Sequence, residues 1–234
     1  NNLNKFKTAK EFTVTPLSDV YTPTEKTKVL TDSDYKNQAE IVEAFKYRVN
    51  QNIKDKTTIA LLNIILGGNP SSRLFSDLRE KEKLAYHVRS NYETYKNIGV
   101  FSLKIKTTTD NKETGEQSFD NVQKSIDGFN RHIEKIKTEK VTNEELENAK
   151  LSLKNSVLNS NHNPEDKTIN LLCGLKSPYG ISRENQLFDE IDKITVDDIY
   201  NTANYIFAGK PTYSIVATED TLKANKEYFN NLEK

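Results

Sequence analysis

The spacing of apolar residues changes along the chain, and each change predicts a different element. Residues 39–49 alternate between apolar and polar, which predicts a half-buried strand. Residues 85–95 and 98–107 alternate in the same way around a short turn, which predicts an antiparallel hairpin. From residue 119 to 136 the apolar residues are three and four positions apart, which predicts a long amphipathic helix. A further short strand is expected at 212–217.

Glycine, proline and hydroxyl residues mark where the helices begin and end. A helix over residues 58–66 is followed by Gly67 and Gly68, for which we predict the left-handed conformation that ends many helices. A second helix is predicted over residues 72–83. Further helix starts are marked by a capping residue or a proline: Thr142 with Glu145, Pro164, Thr195 with Asp198, and Thr218.

Together these elements predict an α+β fold of two layers, in which helices pack on one face of a single, mainly antiparallel sheet. The hairpin requires antiparallel pairing, and the apolar stripe of the long helix needs a sheet face to cover. Residues 1–35 are polar and irregular, so we predict an extended lead-in or linker with one short strand at 11–14. The domain itself is predicted to occupy residues 36–234.

Composition narrows the classes of function. The chain has 234 residues and equal numbers of basic and acidic side chains, 34 of each. A net charge of zero gives no long-range attraction to nucleic acid or to an anionic membrane, and we expect neither as a partner. No apolar stretch is long enough to span a bilayer. The absence of methionine indicates a fragment or a processed product, and the cytoplasm is slightly favoured as the compartment.

The sequence predicts no metal site and no catalytic nucleophile in this chain. Its three histidines, His87, His132 and His162, are isolated, and neither HExxH nor HxxEH occurs. Cys173 is the single cysteine, so the chain forms no internal disulfide and no CxxC zinc site. The GxSxG nucleophile motif is absent as well. We therefore expect no cofactor bound by the chain itself.

The segment from Leu66 to Ser90 holds the residues that best suit a chemical role. Arg79 and Tyr86 are seven positions apart, so on a continuous helix they would share a face, about 20° apart. Such a pair is able to hydrogen-bond a peptide carbonyl or to stabilise an oxyanion. The same residue types also form ordinary surface ion pairs, and the spacing alone leaves both interpretations open.

Four short motifs in this segment, LGG at 66–68, SRLF at 72–75, LRE at 78–80 and LAY at 84–86, resemble a known family. They are similar to the C-terminal domain of the pitrilysin/insulysin family of zinc metallopeptidases, which is related to the mitochondrial processing peptidases. The resemblance implies the processing-peptidase fold and an inactive domain without metal ligands. It also implies a homologous zinc-binding domain or subunit with an HxxEH motif as partner, zinc in that partner, and a peptide substrate.

The resemblance implies catalytic and substrate-binding roles for Arg79 and Tyr86, which would reach the partner's zinc site, hold the peptide backbone and stabilise the tetrahedral intermediate. On this hypothesis the chain is the non-catalytic half of a zinc metalloendopeptidase and is inactive alone. Two alternatives stay open, a structural or scaffold protein of the same fold and an unrelated peptide-binding module. The first hypothesis predicts that both side chains are exposed and that the nearby carboxylates, Asp77, Glu80 and Glu82, leave Arg79 unpaired.

Overall fold

The computed structural model describes residues 21–34, 37–50, 52–95, 97–111, 114–160, 163–175 and 183–234. Its main feature is a five-stranded sheet with helices on one face. The strands are β1 (Lys28–Ser33), β2 (Gln38–Arg48), β3 (His87–Thr94), β4 (Ile98–Thr108), the two-residue β5 (Asp110–Asn111) and β6 (Glu116–Gln117), and β7 (Thr212–Ala217). The α-helices are α1 (Ile53–Asn63), α2 (Asn121–Thr138), α3 (Asn143–Asn159), α4 (Pro164–Leu175), α5 (Arg183–Lys193), α6 (Val196–Ile206), α7 (Glu219–Ala224) and α8 (Lys226–Leu232).

The strand order in the main sheet is β1-β7-β2-β4-β3, and among its described strand pairs β1–β7 is the parallel one. β3 and β4 form the predicted hairpin, and β2 pairs with β4 along its full length. β5 and β6 form a separate two-stranded ribbon. The predicted α+β fold with a mainly antiparallel sheet is confirmed.

The buried face of the sheet follows from the alternation in its strands. In β4, Phe101, Leu103 and Ile105 have no exposed surface, whereas the residues between them are partly exposed. The apolar stripe of α2 covers this face, and its Ile126 and Phe129 are likewise fully buried. Burial contributes roughly 1.5–3 kcal/mol for each such side chain, so the two layers stabilise each other.

Cap hydrogen bonds confirm the helix starts predicted at Thr142, Thr195 and Thr218. The Thr142 hydroxyl accepts from the backbone N–H of Glu145, and the Glu145 carboxylate accepts from the backbone N–H of Thr142. Thr195 and Asp198 form the same capping box at α6. The last helix, predicted to be continuous, is instead divided into α7 and α8 at Asn225, whose buried side-chain amide donates to backbone carbonyls.

Strand β1 is a feature that the sequence pattern does not reveal. It lies within residues 1–35, the predicted lead-in, yet it pairs with β7 from Lys28 to Ser33. Five of its six residues are exposed, so it lacks the apolar alternation that marks the other strands. Its position depends on backbone hydrogen bonds to β7, which is distant in sequence. The strand predicted at 11–14 lies outside the described residues.

Candidate substrate-binding site

The connection from α1 to β3 carries the predicted site residues, and it begins with a π-helical segment, Ile64–Gly68. The prediction of a left-handed glycine cap is wrong, because neither Gly67 nor Gly68 has a positive φ. Gly67 is required by a close approach instead, since a Cβ there would lie 2.3 Å from the backbone nitrogen of Ser90. The end of the helix therefore packs directly on β3, where the Ser90 hydroxyl donates to Asn63.

The second helix of the connection, predicted over residues 72–83, is largely a π-helix, Phe75–Lys81. Lys83 has a φ of 54° and is the one described non-glycine residue in the left-handed region. This conformation reverses the chain, and the N–H of Leu84 then donates to the carbonyl of Leu78 at 2.9 Å. The helix consequently ends earlier than predicted, and the chain turns at once toward β3.

Arg79 and Tyr86 lie on opposite sides of this chain reversal. Arg79 belongs to the π-helix, whereas Tyr86 lies in the bend just before His87, the first residue of β3. The two residues therefore do not share a helix face, and the geometry expected from a continuous helix does not apply. Both side chains are nevertheless exposed, that of Tyr86 to 85%.

The surroundings of Arg79 orient its side chain without neutralising the charge. The guanidinium lies 4.5 Å from the centre of the Phe75 ring, which is a cation–π contact between residues one turn apart. Among the described residues, no hydrogen bond or ion pair engages the Arg79 side chain. Its five N–H donors are therefore available to a ligand.

Tyr86 is anchored through its backbone and its neighbours. Its N–H donates to the carbonyl of Lys106 in β4 at 3.1 Å, which extends the pairing of the hairpin by one residue. Leu84 and Ala85 before it and Val88 after it are buried. The phenol is thus held at the surface on a fixed backbone, and in the described structure its hydroxyl has no partner.

Two of the three carboxylates near Arg79 are already engaged by α2. An Asp77 oxygen lies 2.9 Å from His132 Nε2 and 3.4 Å from Arg131, and Arg131 also pairs with Glu82. Partial burial would raise the pKa of Asp77, but His132 and Arg131 outweigh burial and lower it. Asp77 is therefore ionised at neutral pH and ties the π-helix to α2.

The strand residues beyond the bend bring further positive charge to this end of the sheet. His87 and Arg89 are exposed on β3, directly opposite Lys106 and Lys104 of β4. Partial burial lowers the pKa of His87, and Arg89, both lysines and Arg79 lower it further, so this imidazole is neutral at pH 7. The clustering of these side chains depends on the register between β3 and β4, which the pattern of either strand alone does not give.

Comparison with known proteins identifies the family to which this fold belongs. A family model described as the peptidase M16 inactive domain matches residues 3–153, which is more than half of the chain. The chain belongs to this family. The resemblance to the pitrilysin/insulysin peptidases is thereby confirmed, and the chain is an inactive C-terminal domain from a family of zinc proteases.

Individual relatives of this M16 inactive domain agree with the assignment. An uncharacterized zinc protease of Rickettsia felis is 34% identical over 160 residues, which cover 68% of this chain and 36% of that protein. The chain spans about a third of the length of the curated relatives it matches. A protease from Helicobacter pylori has a TM-score of 0.74 at 18% identity, with 92% of this chain and 50% of that chain covered. A peptidase M16 inactive domain from Pseudomonas fluorescens has a TM-score of 0.66 at 21% identity, with 86% and 46% covered. At these identities the two structures establish the fold.

The described part of this M16 inactive domain has no group of three or more His, Cys, Asp and Glu side chains placed to hold a metal ion. His87 is exposed on the sheet among cations, and His132 contacts Asp77. His162 lies outside the described residues. Within the same described ranges, no helix is both long enough and apolar enough to cross a membrane.

A groove of about 800 Å³ lies between α3 and the start of the π-helical connection, and neither Arg79 nor Tyr86 lines it. In its wall Arg73 forms a bidentate ion pair with Glu145, with distances of 2.8 and 3.0 Å. The Arg73 hydrogen bonds lower the pKa of Glu145. Because Glu145 also caps α3, this pair joins the connection to the helix layer, and we assign it a structural role.

Proposed function

We propose that this chain is the non-catalytic half of a zinc metalloendopeptidase, and that Arg79 and Tyr86 bind the peptide substrate and stabilise the transition state. The zinc site belongs to another domain or subunit with an HxxEH motif. The observation that carries the proposal is the state of the two side chains. Both are exposed, both are without a hydrogen-bond partner in the described structure, and both stand on a backbone fixed by core contacts.

The chemistry of the two groups suits this role. The Arg79 guanidinium is always charged and donates to a peptide carbonyl, and the Tyr86 hydroxyl donates one hydrogen bond to a developing oxyanion. Zinc in the partner would activate water and polarise the carbonyl. Donors that are held in place before the substrate arrives need little rearrangement in the transition state. Only their position relative to the substrate matters, so a separate domain is able to supply them.

An exposed apolar helix supports the presence of a partner domain. In α4 the side chains of Ile169, Leu171, Leu172 and Leu175 are 45–63% exposed. A monomeric domain rarely leaves such a cluster uncovered. The Helicobacter pylori and Pseudomonas fluorescens structures are each about twice as long as the region that this chain matches. We therefore expect the homologous zinc-binding domain to cover α4.

The test is a kinetic comparison of variants in the complete enzyme that contains both halves. Tyr86→Phe should lower kcat and kcat/KM together by roughly 10- to 1,000-fold, the range for loss of one oxyanion donor. Arg79→Gln should also raise KM, because the guanidinium holds the peptide before reaction. Tyr95→Phe is the matched control, since Tyr95 is 62% exposed beyond the far end of β3 and its hydroxyl bonds Glu93.

The outcome separates the proposal from the scaffold alternative. Loss of activity in the Tyr86 and Arg79 variants, with wild-type kinetics for Tyr95→Phe and unchanged thermal unfolding, supports the proposal. Wild-type kinetics in all three variants would contradict it and favour a structural role for the domain.

A further inference from the structure

The outer face of the β3–β4 hairpin carries one pair of like charges in direct cross-strand register, beside a second pair in which the neutral His87 faces a lysine. Arg89 lies opposite Lys104, and His87 lies opposite Lys106. Alternate residues of both strands are buried against the helices, so these four side chains share the outer face. We call this group of four the cationic face.

This arrangement is unfavourable for the hairpin itself. Like charges directly opposite each other destabilise a strand pair. Among the described residues, the carboxylate that pairs with the two lysines is Glu40 of β2, and Arg89 has no ion pair. Arg89, Lys104, Lys106 and Arg79 all lie close enough to His87 to lower its pKa, so four cations gather at this place in a chain of zero net charge. A local arrangement that opposes stability is expected where a ligand binds.

The cationic face begins next to the groups proposed to hold the substrate. His87 follows Tyr86 in the chain, and the Tyr86 N–H bonds the Lys106 carbonyl. Strand residues advance about 3.3 Å each, so Arg89 and Lys104 lie about 10 Å farther along the hairpin. An extended peptide has the same rise, so a peptide held at Tyr86 reaches them with side chains about three residues away.

We propose that the cationic face binds acidic side chains of the peptide substrate and gives the enzyme a preference for Asp or Glu a few residues from the cleaved bond. The inference rests on the function proposed above, because it needs the peptide to be held at Arg79 and Tyr86. Charge complementarity identifies acidic side chains as the groups that bind. The position along the hairpin determines which substrate residues contact the cationic face.

The size of the preference follows from the exposure of the cations. An exposed ion pair changes an affinity roughly 1.5- to 5-fold, so two contacts predict about 2- to 25-fold in kcat/KM. The change should reside in KM, because the contacts exist before the chemical step. It should also weaken at high salt, since exposed charges are screened.

The experiment uses the complete enzyme and three quenched peptides that differ at two positions near the cleaved bond, with Glu, Gln or Lys at both. Separate series place the pair on either side of the bond. The tested variant is Arg89→Gln with Lys104→Gln. The matched control is Lys124→Gln with Lys135→Gln, which removes the same charge from exposed positions of α2 in the helix layer.

The wild type and the control should cleave the Glu peptide better than the Gln peptide and the Lys peptide least, on one side of the bond. The tested variant should cleave the Gln peptide at the wild-type rate and lose the advantage for Glu. A wild type without the preference, or a tested variant that keeps it, would overturn the inference. Cleavage of the Gln peptide by Tyr86→Phe judges the proposed function separately, because that peptide carries no charge at the tested positions.

Discussion

Glu43 is a carboxyl group in the middle of the core, and its protonation should control the stability of the fold. It lies on the helix-facing side of β2, fully buried, and the Tyr213 hydroxyl donates to its Oε1 at 3.0 Å. Its Oε2 has no hydrogen-bond partner in the described structure. Burial raises the pKa of Glu43 from its ordinary 4.5 to about 8, against the opposing effect of the Tyr213 bond. The folded protein therefore holds this carboxyl protonated at pH 7, whereas the unfolded chain holds it ionised.

The effect on stability follows from the linkage between proton binding and folding. Because the folded state binds the proton more tightly, stability is greatest below pH 4.5 and falls as the pH rises toward 8. Each pH unit in this window corresponds to about 1.4 kcal/mol. Glu43 therefore lowers the free energy of unfolding by about 3 kcal/mol at pH 7 and by about 1 kcal/mol at pH 5.

Glu43→Gln tests this directly, because glutamine keeps the size of the protonated acid and does not titrate. Urea unfolding should show the variant more stable than the wild type by about 3 kcal/mol at pH 7 and about 1 kcal/mol at pH 5. Glu134→Gln, at an exposed position of α2, is the matched control and should show no such dependence on pH. A difference that does not change with pH, or a Glu43→Gln variant less stable at pH 7, would refute the assignment of a protonated core carboxyl.

Other predictions concern the connection, the isolated chain and α4. Gly67→Ala should lower the free energy of unfolding by about 1–3 kcal/mol, because the added Cβ meets the β3 backbone. Lys83→Gly should raise it by up to about 1 kcal/mol, because glycine takes the left-handed conformation without steric strain. Denaturant unfolding checks both, and the opposite sign in either would contradict the packing described. The isolated chain should bind no stoichiometric zinc and cleave no quenched peptide. Metal analysis after dialysis and a protease assay check this, and chelator-sensitive cleavage would count against it. Replacing Leu172 and Leu175 by Gln should lower the Tm of the complete enzyme but not that of the isolated chain. An equal shift in both would place α4 inside the domain rather than against a partner.

Elements with a local signal could be predicted from the sequence. The stripe of α2 and the alternation of β4 each specify a buried face within a few residues, and the structure has both. The same alternation occurs in β2, but there Glu43 occupies one of the buried positions, between Ile41 and Phe45. The period of the apolar residues identifies the face that is buried, but it does not show how a polar residue on that face is accommodated.

Features set by contacts between distant segments could not be predicted. The π-helical segments are five and seven residues long, too short for their apolar pattern to be distinguished from that of an α-helix, and Ile64–Gly68 adopts this form where Gly67 packs on the backbone of β3. Lys83 takes a conformation that local propensity assigns to glycine, because the buried neighbours of the reversal fix the path of the chain. Strand β1 similarly depends on its pairing with β7.

For the candidate site, the resemblance identified the residues and the structure supplied their placement. The expectation that Arg79 and Tyr86 are exposed and unpaired agrees with the described contacts, whereas the shared helix face does not. Their roles in binding and in the transition state stay predictions. The cations of β3 and β4 were visible as polar residues of two strands, but the cluster they form depends on the register of the hairpin.

The packing of the connection is the strongest physical support for the roles proposed for its two exposed groups. Gly67 brings one end of the connection against β3, and the ionised Asp77 ties the middle to α2. The reversal at Lys83 then places Tyr86 at the start of β3, where the backbone N–H of Tyr86 is hydrogen-bonded to β4. On the proposed function, this domain acts on a reaction at the partner's zinc site through the position of its donors, and position is worth most when little freedom is lost on binding. Like charges across a hairpin oppose stability, so the pair of Arg89 and Lys104 close to Arg79 and Tyr86, whose side chains make no hydrogen bond in the described structure, supports the proposed binding surface.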